Sequence, residues 1–202
     1  MRASPTYRPR NRWTVLVCAT VLAAIASVGI ATSPAKAADG KVAEPADYRM
    51  DHFRSPVPET LTGAKVVDTE TAHQLWQDGN TVFIDVLPQA PKPPTLPANV
   101  IWRDKPRDTV KGAIWLPNVG YGKLHPDMHA FFKAELERLT GGSKAKPVLF
   151  YCLQDCWMSW NAAKRALEYG YTDVSWYPDG TDGWTFQDYP LETVKPVFPA
   201  AQ

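Results

Sequence analysis

The sequence contains few cysteines and almost no net charge. Three cysteines among 202 residues are too few for a small scaffold held together by many disulfides. The formal net charge is only +1. Because residues 1–37 contain basic but no acidic side chains, residues 38–202 carry a net negative charge. This excludes the basic surface with which proteins bind nucleic acid or an anionic membrane, and neither partner is expected.

Long hydrophobic runs are also lacking, with one exception near the N terminus. A cluster of arginines precedes an apolar run over residues 15–30, and small residues follow it. This order predicts a secretory signal peptide over residues 1–37, cleaved near Ala37/Ala38, and export to the periplasm. An uncleaved membrane anchor is the alternative, because the run is close to the shortest length that spans a bilayer. No membrane attachment is expected once the signal peptide is removed.

Along the rest of the chain, apolar segments typical of strands alternate with segments that begin and end with helix-capping residues. Residues 38–63 are polar with scattered prolines and predict an N-terminal arm without a core of its own. Helices are predicted between strands, and the strands lie where apolar residues run on without interruption, at residues 81–86, 148–151 and 174–177. We therefore expect an α/β domain over residues 64–186 with a mostly parallel central sheet flanked by helices, followed by a C-terminal tail over residues 187–202.

Two segments are predicted to be loops. The clustered prolines of residues 88–111 predict an extended surface loop without regular structure. Residues 179–183 contain Asp-Gly pairs, which favour tight turns. In parallel sheets, reactive groups lie beyond the carboxyl ends of the strands. The second loop should therefore lie beside Cys152, the residue that follows the predicted strand 148–151.

Cys152 and Cys156 are the cysteines with a recognisable chemical context. Cys152 stands between a predicted strand and a predicted helix, where loop amides and the helix dipole should stabilise a thiolate. We expect Cys152 to be the nucleophile or sulfur carrier and Cys156 to be its resolving partner. A structural Cys152–Cys156 disulfide is the alternative. No metal is expected, because two thiolates need further ligands and the four histidines lack metal-site spacing.

Several aromatic and polar residues accompany the cysteines in the predicted cleft. The aromatic rings could stack on a flat quinone, although core packing is the commoner role of a buried tryptophan. The aspartates could act as acid–base groups or recognise a cationic partner, or they could only shape loops. The cleft candidates are Asp155, Trp157, Ser159, Asp179, Asp182 and Trp184.

The order of these motifs resembles the rhodanese-like fold. Residues 64–186 contain a TVFIDV strand, a KGAI segment, an LFYC strand and a closing tryptophan in the order that this fold has them. The C-x-x-x-C-W motif and the MSWNAAKRA stretch after it are more closely similar to the exported PQQ-dependent catabolism-associated CXXCW motif proteins. That resemblance implies a role beside periplasmic alcohol oxidation. It also implies pyrroloquinoline quinone (PQQ) as the cofactor and a quinoprotein dehydrogenase or a cytochrome as the partner.

The cysteine loop departs from the usual rhodanese pattern. Asp155 stands where such loops usually have glycine, and no basic residue follows until Lys164. A carboxylate beside the site disfavours a thiolate and an anionic donor, so thiosulfate sulfurtransferase is only the third hypothesis. The leading hypothesis is a thiol–disulfide or sulfur-handling role at the cysteine pair. Its rival is a non-enzymatic binding module for a quinone, a quinoprotein dehydrogenase or a cytochrome, in which the disulfide is structural.

Overall fold

The computed structural model describes residues 42–199, except 90–92, 94, 98, 102 and 104. The predicted signal peptide therefore lies outside the described residues. Seven strands and four helices follow one another along the described chain: β1 (Lys65–Val66), α1 (Thr69–Asp78), β2 (Val82–Asp85), β3 (Arg107–Val110), β4 (Ile114–Trp115), α2 (Pro126–Thr140), β5 (Val148–Tyr151), α3 (Trp157–Glu168), β6 (Val174–Tyr177), α4 (Gly180–Phe186) and β7 (Leu191–Val194).

Five of these strands form a parallel sheet in the order β1-β6-β5-β2-β4. The central strand β5 pairs with β2 on one side and with β6 on the other, and all four of its residues are buried. One hydrophobic cluster joins the sheet to α2 and α3, and a second joins it to α1 and α4. The predicted α/β class, with a mostly parallel sheet flanked by helices, is confirmed.

Local sequence signals explain where the helices begin and end. Asp68 caps α1 by accepting a hydrogen bond from the Thr71 amide, and Gly79 ends the helix with a left-handed φ of 67°. Helix α2 begins with a proline and ends at Gly141, which has a φ of 61°. No helix in the described part of the chain combines the length and the hydropathy that crossing a bilayer requires.

The predicted irregular segment 88–111 contains a strand at its end, so that prediction is wrong there. Strand β3 pairs antiparallel with β7, which lies in the predicted tail. The prolines stop at Pro106, and the next four residues pair with a partner that is more than eighty positions away in the sequence. Sequence patterns over short windows do not detect such a pairing.

The predicted tight loop 179–183 is also different in the structure, because it forms the first part of α4. Gly180 has a φ of 56°, and a Cβ atom placed on it would lie 2.4 Å from the Cys152 carbonyl oxygen. Glycine is needed at this position for close approach as much as for a turn. Helix α4 is short. The Asp-Gly pair that suggested a turn therefore contains a glycine that the structure needs for the close approach to Cys152.

Candidate functional site

Cys152 directly follows β5, at the carboxyl edge of the central sheet. Its side chain is fully buried, and its carbonyl oxygen accepts a hydrogen bond from the Thr181 amide at 3.0 Å. The carboxyl ends of β5 and β6 therefore bring Cys152 and the start of α4 together. The predicted proximity of Cys152 and residues 179–183 is confirmed.

Cys156 is the N-cap residue of α3, with φ −117° and ψ 108°. Its side chain is 2% exposed. The two sulfurs are in direct contact, with 2.7 Å between the Sγ atoms of Cys152 and Cys156. Both residues are free thiols. The structure therefore places the two predicted cysteines in direct contact beneath the protein surface.

The two thiols have opposite electrostatic environments. Burial raises the pKa of Cys152 well above the usual value, and the adjacent Cys156 and the Asp85 carboxylate raise it further. The hydrogen bond from Cys152 lowers the pKa of Cys156 to about 7, and the nearby amides of Met158 and Leu153 contribute to the shift. Cys156, at the start of α3, is therefore the more acidic of the two thiols.

One side of the cysteine loop, residues 152–156, is attached to α4. Leu153 forms a β-bridge with Gly180, and the Gln154 amide donates a hydrogen bond to Asp182 at 2.8 Å. The Asp182 carboxylate thus binds the backbone of the cysteine loop. Asp179 has a different partner, since it accepts a hydrogen bond from the Thr69 hydroxyl at 3.0 Å and links α4 to α1.

Asp155 adopts the backbone conformation that usually requires glycine. Its φ is 53°, and its side chain is exposed. Aspartate tolerates the left-handed region better than most residues, because its short polar side chain can hydrogen-bond locally. Asp155 therefore adopts a backbone conformation that a glycine at this position would adopt without strain.

Asp155→Gly is expected to change the free energy of unfolding by less than about 1 kcal/mol, since glycine adopts positive φ freely. Asp155→Val is expected to cost about 1–3 kcal/mol, because a β-branched residue is strained there. Urea denaturation measures both values. The matched control is Gln154→Val, at an exposed neighbour whose φ is not positive. Equal losses in the two valine variants would contradict the backbone argument.

The other side of the cysteine loop is covered by the N-terminal arm, residues 42–63. The Ser55 amide donates to the Asp155 carbonyl at 3.1 Å, and the Trp157 amide donates to the Phe53 carbonyl at 2.9 Å. With these two bonds on either side of them, Arg54 and Cys156 form an antiparallel β-bridge. The arm thus adds a short strand to the edge of the loop that carries both cysteines.

Trp157 and Ser159 hold neighbouring segments rather than line an open cleft. The Trp157 indole is 1% exposed and donates to the Ser55 hydroxyl at 3.0 Å and to the Pro56 carbonyl at 3.1 Å. The Ser159 hydroxyl is 1% exposed and donates to the Cys156 carbonyl. Trp184 is fully buried in the second hydrophobic cluster. Packing and the arm enclose these three residues in the structure, and their role at the site stays a prediction.

Asn161, in the middle of α3, is hydrogen-bonded to the backbone of the arm. Its carboxamide accepts a hydrogen bond from the Arg49 amide at 3.0 Å and donates to the Arg49 carbonyl at 2.9 Å. It also donates to the Gly120 carbonyl at 2.9 Å. The side chain is fully buried, so these three bonds replace all contact with water. Asn161 therefore joins the arm, α3 and the segment that precedes α2.

A buried polar network lies behind the cysteine loop. Asp85 ends β2, is fully buried and pairs with Arg107, with Nε and Oδ2 2.7 Å apart. The Thr109 hydroxyl donates to the same carboxylate at 2.6 Å and shares a second short bond with the Tyr151 hydroxyl. Arg107 also donates to the Thr181 hydroxyl at 3.0 Å. The network therefore connects the core carboxylate to the residue that holds the Cys152 carbonyl.

Arg107 and Asn161 were missed as site residues. Arg107 fell in a segment predicted to be irregular, and its strand becomes visible only through its distant partner β7. Asn161 gave a weak signal that could have been used. It lies four residues after Trp157 on a helix that is otherwise buried on the same side, where a polar residue needs a specific partner.

The predicted absence of a metal site rests on ligand spacing in the sequence. In the part of the chain that the structure describes, no group of three or more His, Cys, Asp or Glu side chains could hold an ion. The Nδ1 atom of His129 lies 2.6 Å from the Tyr169 hydroxyl oxygen, and burial lowers the pKa of the His129 imidazole.

A model of the rhodanese-like domain matches residues 68–187, which is more than half of the chain. The chain belongs to the rhodanese-like family. Within that domain, Cys152 occupies the end of the central strand and Cys156 the start of the following helix. The arm precedes the matched residues, and β7 follows them.

Three solved structures are similar to the chain at low sequence identity. An uncharacterized protein from Saccharomyces cerevisiae is 24% identical, covers 61% of this chain and 92% of its own, and has a TM-score of 0.38. A protein from Lactobacillus plantarum is 22% identical, with coverage of 63% and 87% and a TM-score of 0.40. The polysulfide-sulfur transferase homodimer from Wolinella succinogenes is 19% identical, with coverage of 64% and 79% and a TM-score of 0.40. No curated protein sequence matches the chain significantly.

Proposed function

We propose that Cys152 and Cys156 form a redox-active pair that exchanges disulfides with a thiol-containing partner. The observation that carries this proposal is the direct contact of the two sulfurs, 2.7 Å apart, combined with the opposite shifts of their pKa values. Formation of a disulfide needs only a small movement of side chains that already touch. A lowered thiol pKa also favours the reduced form, which makes the disulfide more readily reducible.

The compartment and the biological setting belong to the same proposal. The N-terminal order of basic, apolar and small residues supports an exported protein that works in the periplasm, where disulfides persist. The C-x-x-x-C-W motif supports a role beside PQQ-dependent alcohol oxidation, with a quinoprotein dehydrogenase or a cytochrome as the partner. The exchange chemistry requires neither PQQ nor a metal at the cysteines.

Disulfide exchange fits the loop better than transfer of sulfur from thiosulfate does. Among residues 152–156 the only charged side chain is Asp155, a carboxylate that repels a dianionic donor. The sulfur at the usual catalytic position, Cys152, is also fully buried and has a raised pKa. A thiol that holds its proton so firmly is a poor acceptor for the first step of sulfur transfer.

The reduction potential of the pair tests the proposal. We expect a value above about −300 mV, because a structural disulfide lies below that limit and exchange-active pairs lie above it. The measurement is equilibration of the full chain with glutathione redox buffers, carrying Cys18→Ser so that two thiols remain. Cys152→Ser, which cannot form the intramolecular disulfide, is the control: it should show no transition to that disulfide, and its only oxidised form should be a mixed disulfide with glutathione, which mass spectrometry distinguishes. A potential well below this limit would identify a static bridge and refute the exchange role.

A further inference from the structure

The position of Cys156 at the start of α3 separates it from Cys152. Cys156 has extended backbone angles and precedes a helix of 12 residues, so the free amides of the first turn lie on its side. The Met158 amide lies near enough to lower the pKa of Cys156, although the side chain makes no capping hydrogen bond. Cys152 does not stand at the start of a helix, because it directly follows the buried strand β5.

The surroundings of the two sulfurs differ in charge. The amides of Met158 and Leu153 lie on the side of Cys156 and favour negative charge on its sulfur, so that of two sulfurs in contact the proton stays on Cys152. Asp85 acts in the same sense from behind, because its buried carboxylate raises the pKa of Cys152. The two effects make Cys156 the thiolate of the pair and Cys152 the proton holder.

Charged side chains around Cys156 come from the arm and from the loop itself. Arg54 is directly opposite Cys156 in a bridge without hydrogen bonds between the two, the arrangement in which Cα atoms approach to about 4.5 Å. Its positive charge contributes to the lowered pKa of Cys156. Asp155, the neighbouring carboxylate, is exposed to solvent. The element that covers the site therefore supplies a cation beside the sulfur.

We infer that Cys156 is the attacking thiol and Cys152 the resolving thiol, the reverse of the order expected from the sequence. This assignment rests on the proposed exchange function. It follows from the helix start at Cys156, the buried Asp85 carboxylate behind Cys152 and the position of Arg54 opposite Cys156. A thiol that titrates near the ambient pH is the most effective attacker in exchange reactions, and Cys156 meets that condition.

The exchange then proceeds in two balanced steps. The Cys156 thiolate attacks one sulfur of a substrate disulfide, the substrate S–S bond breaks, and the released thiolate takes a proton from solvent. The Cys152 sulfur next attacks Cys156 and passes its proton to the second departing thiolate. The pair is oxidised by two electrons to a Cys152–Cys156 disulfide, and the substrate disulfide is reduced to two thiols.

Titration of single-cysteine variants tests the assignment. In the full chain with Cys18→Ser, we expect the thiolate absorbance of Cys152→Ser to appear near the lowered pKa of about 7, since a serine hydroxyl still donates to Cys156. Cys156→Ser should titrate only above the ordinary thiol value of 9. Cys152→Ala, which removes the donor, should raise the pKa of Cys156 relative to Cys152→Ser.

A trapping measurement adds a readout of reactivity. At neutral pH, glutathione disulfide should form a mixed disulfide at least about 5-fold faster with Cys152→Ser than with Cys156→Ser, after allowing for the stronger nucleophilicity of a less acidic thiol. The opposite order of rates, or two equal pKa values, would overturn the assignment. A reduction potential below the structural limit would refute the exchange function while the titration order remained, so the two failures are distinguishable.

Discussion

Asn161→Leu is expected to raise the alkylation rate of Cys156 about 30-fold. Asn161 makes two hydrogen bonds to the arm backbone, and each is worth about 1 kcal/mol net. Losing both favours the open arm by about 2 kcal/mol, and each 1.4 kcal/mol is a factor of ten in population. The measurement is the rate of iodoacetamide modification at neutral pH, followed by mass spectrometry.

A matched asparagine provides the control for this variant. Asn80 is exposed and accepts a hydrogen bond from the Lys146 ammonium at 2.8 Å, and it lies before β2, at the amino edge of the sheet opposite to the edge that carries the cysteines. Asn80→Leu should leave the alkylation rate unchanged. Urea denaturation of both variants shows how much of any increase comes from global unfolding. Equal alkylation rates in the two variants would show that the arm does not control access to Cys156.

Arg107→Leu is expected to lower the free energy of unfolding by about 3–5 kcal/mol at neutral pH. It leaves the fully buried Asp85 carboxylate without its ionic partner, and breaking one side of a buried pair carries this cost. Burial already raises the pKa of Asp85, and the arginine opposes that shift. Losing Arg107 should therefore raise this pKa further. Urea denaturation at several pH values measures the effect.

The pH dependence of this loss has a definite sign. A carboxyl group whose pKa is raised by folding stabilises the protein below its unfolded pKa and loses that contribution as the pH rises through the folded value. The deficit of Arg107→Leu should therefore be smaller at acidic than at neutral pH. The double variant Asp85→Leu/Arg107→Leu is the control, and it should cost less than the single change. A deficit independent of pH would contradict an ionised Asp85 in the native protein.

Elements with local signals were predictable from the sequence. Strands β5 and β6 have the predicted bounds, since uninterrupted apolar segments of this length are characteristic of strands buried on both faces. Helices α1 and α2 are followed by Gly79 and Gly141, and a glycine after a helical segment is a local signal of a helix end. The two cysteines were also recognised as a pair, because strand, loop and helix follow one another within a few residues.

Features that depend on distant contacts were not predictable. The pairing of β3 with β7 needs a partner from the far end of the chain, and the prolines before β3 concealed it. The acidity of Cys156 depends on a hydrogen bond from Cys152 and on Arg54 of the arm. Neither contact has a signature in the local sequence. The effect of the helix start was assigned to Cys152, whereas the N-cap residue of α3 is Cys156.

The antiparallel pair of β3 and β7 also determines where the chain can be divided. The family match ends at residue 187, yet Leu191–Val194 hydrogen-bond to the strand that carries Arg107. The Val197 amide then donates to the Trp115 carbonyl at 2.9 Å. A fragment cut to residues 68–187 would lose this strand and the arm together. The autonomous folding unit is therefore wider than the family motif, and its flanking segments are structural parts of it.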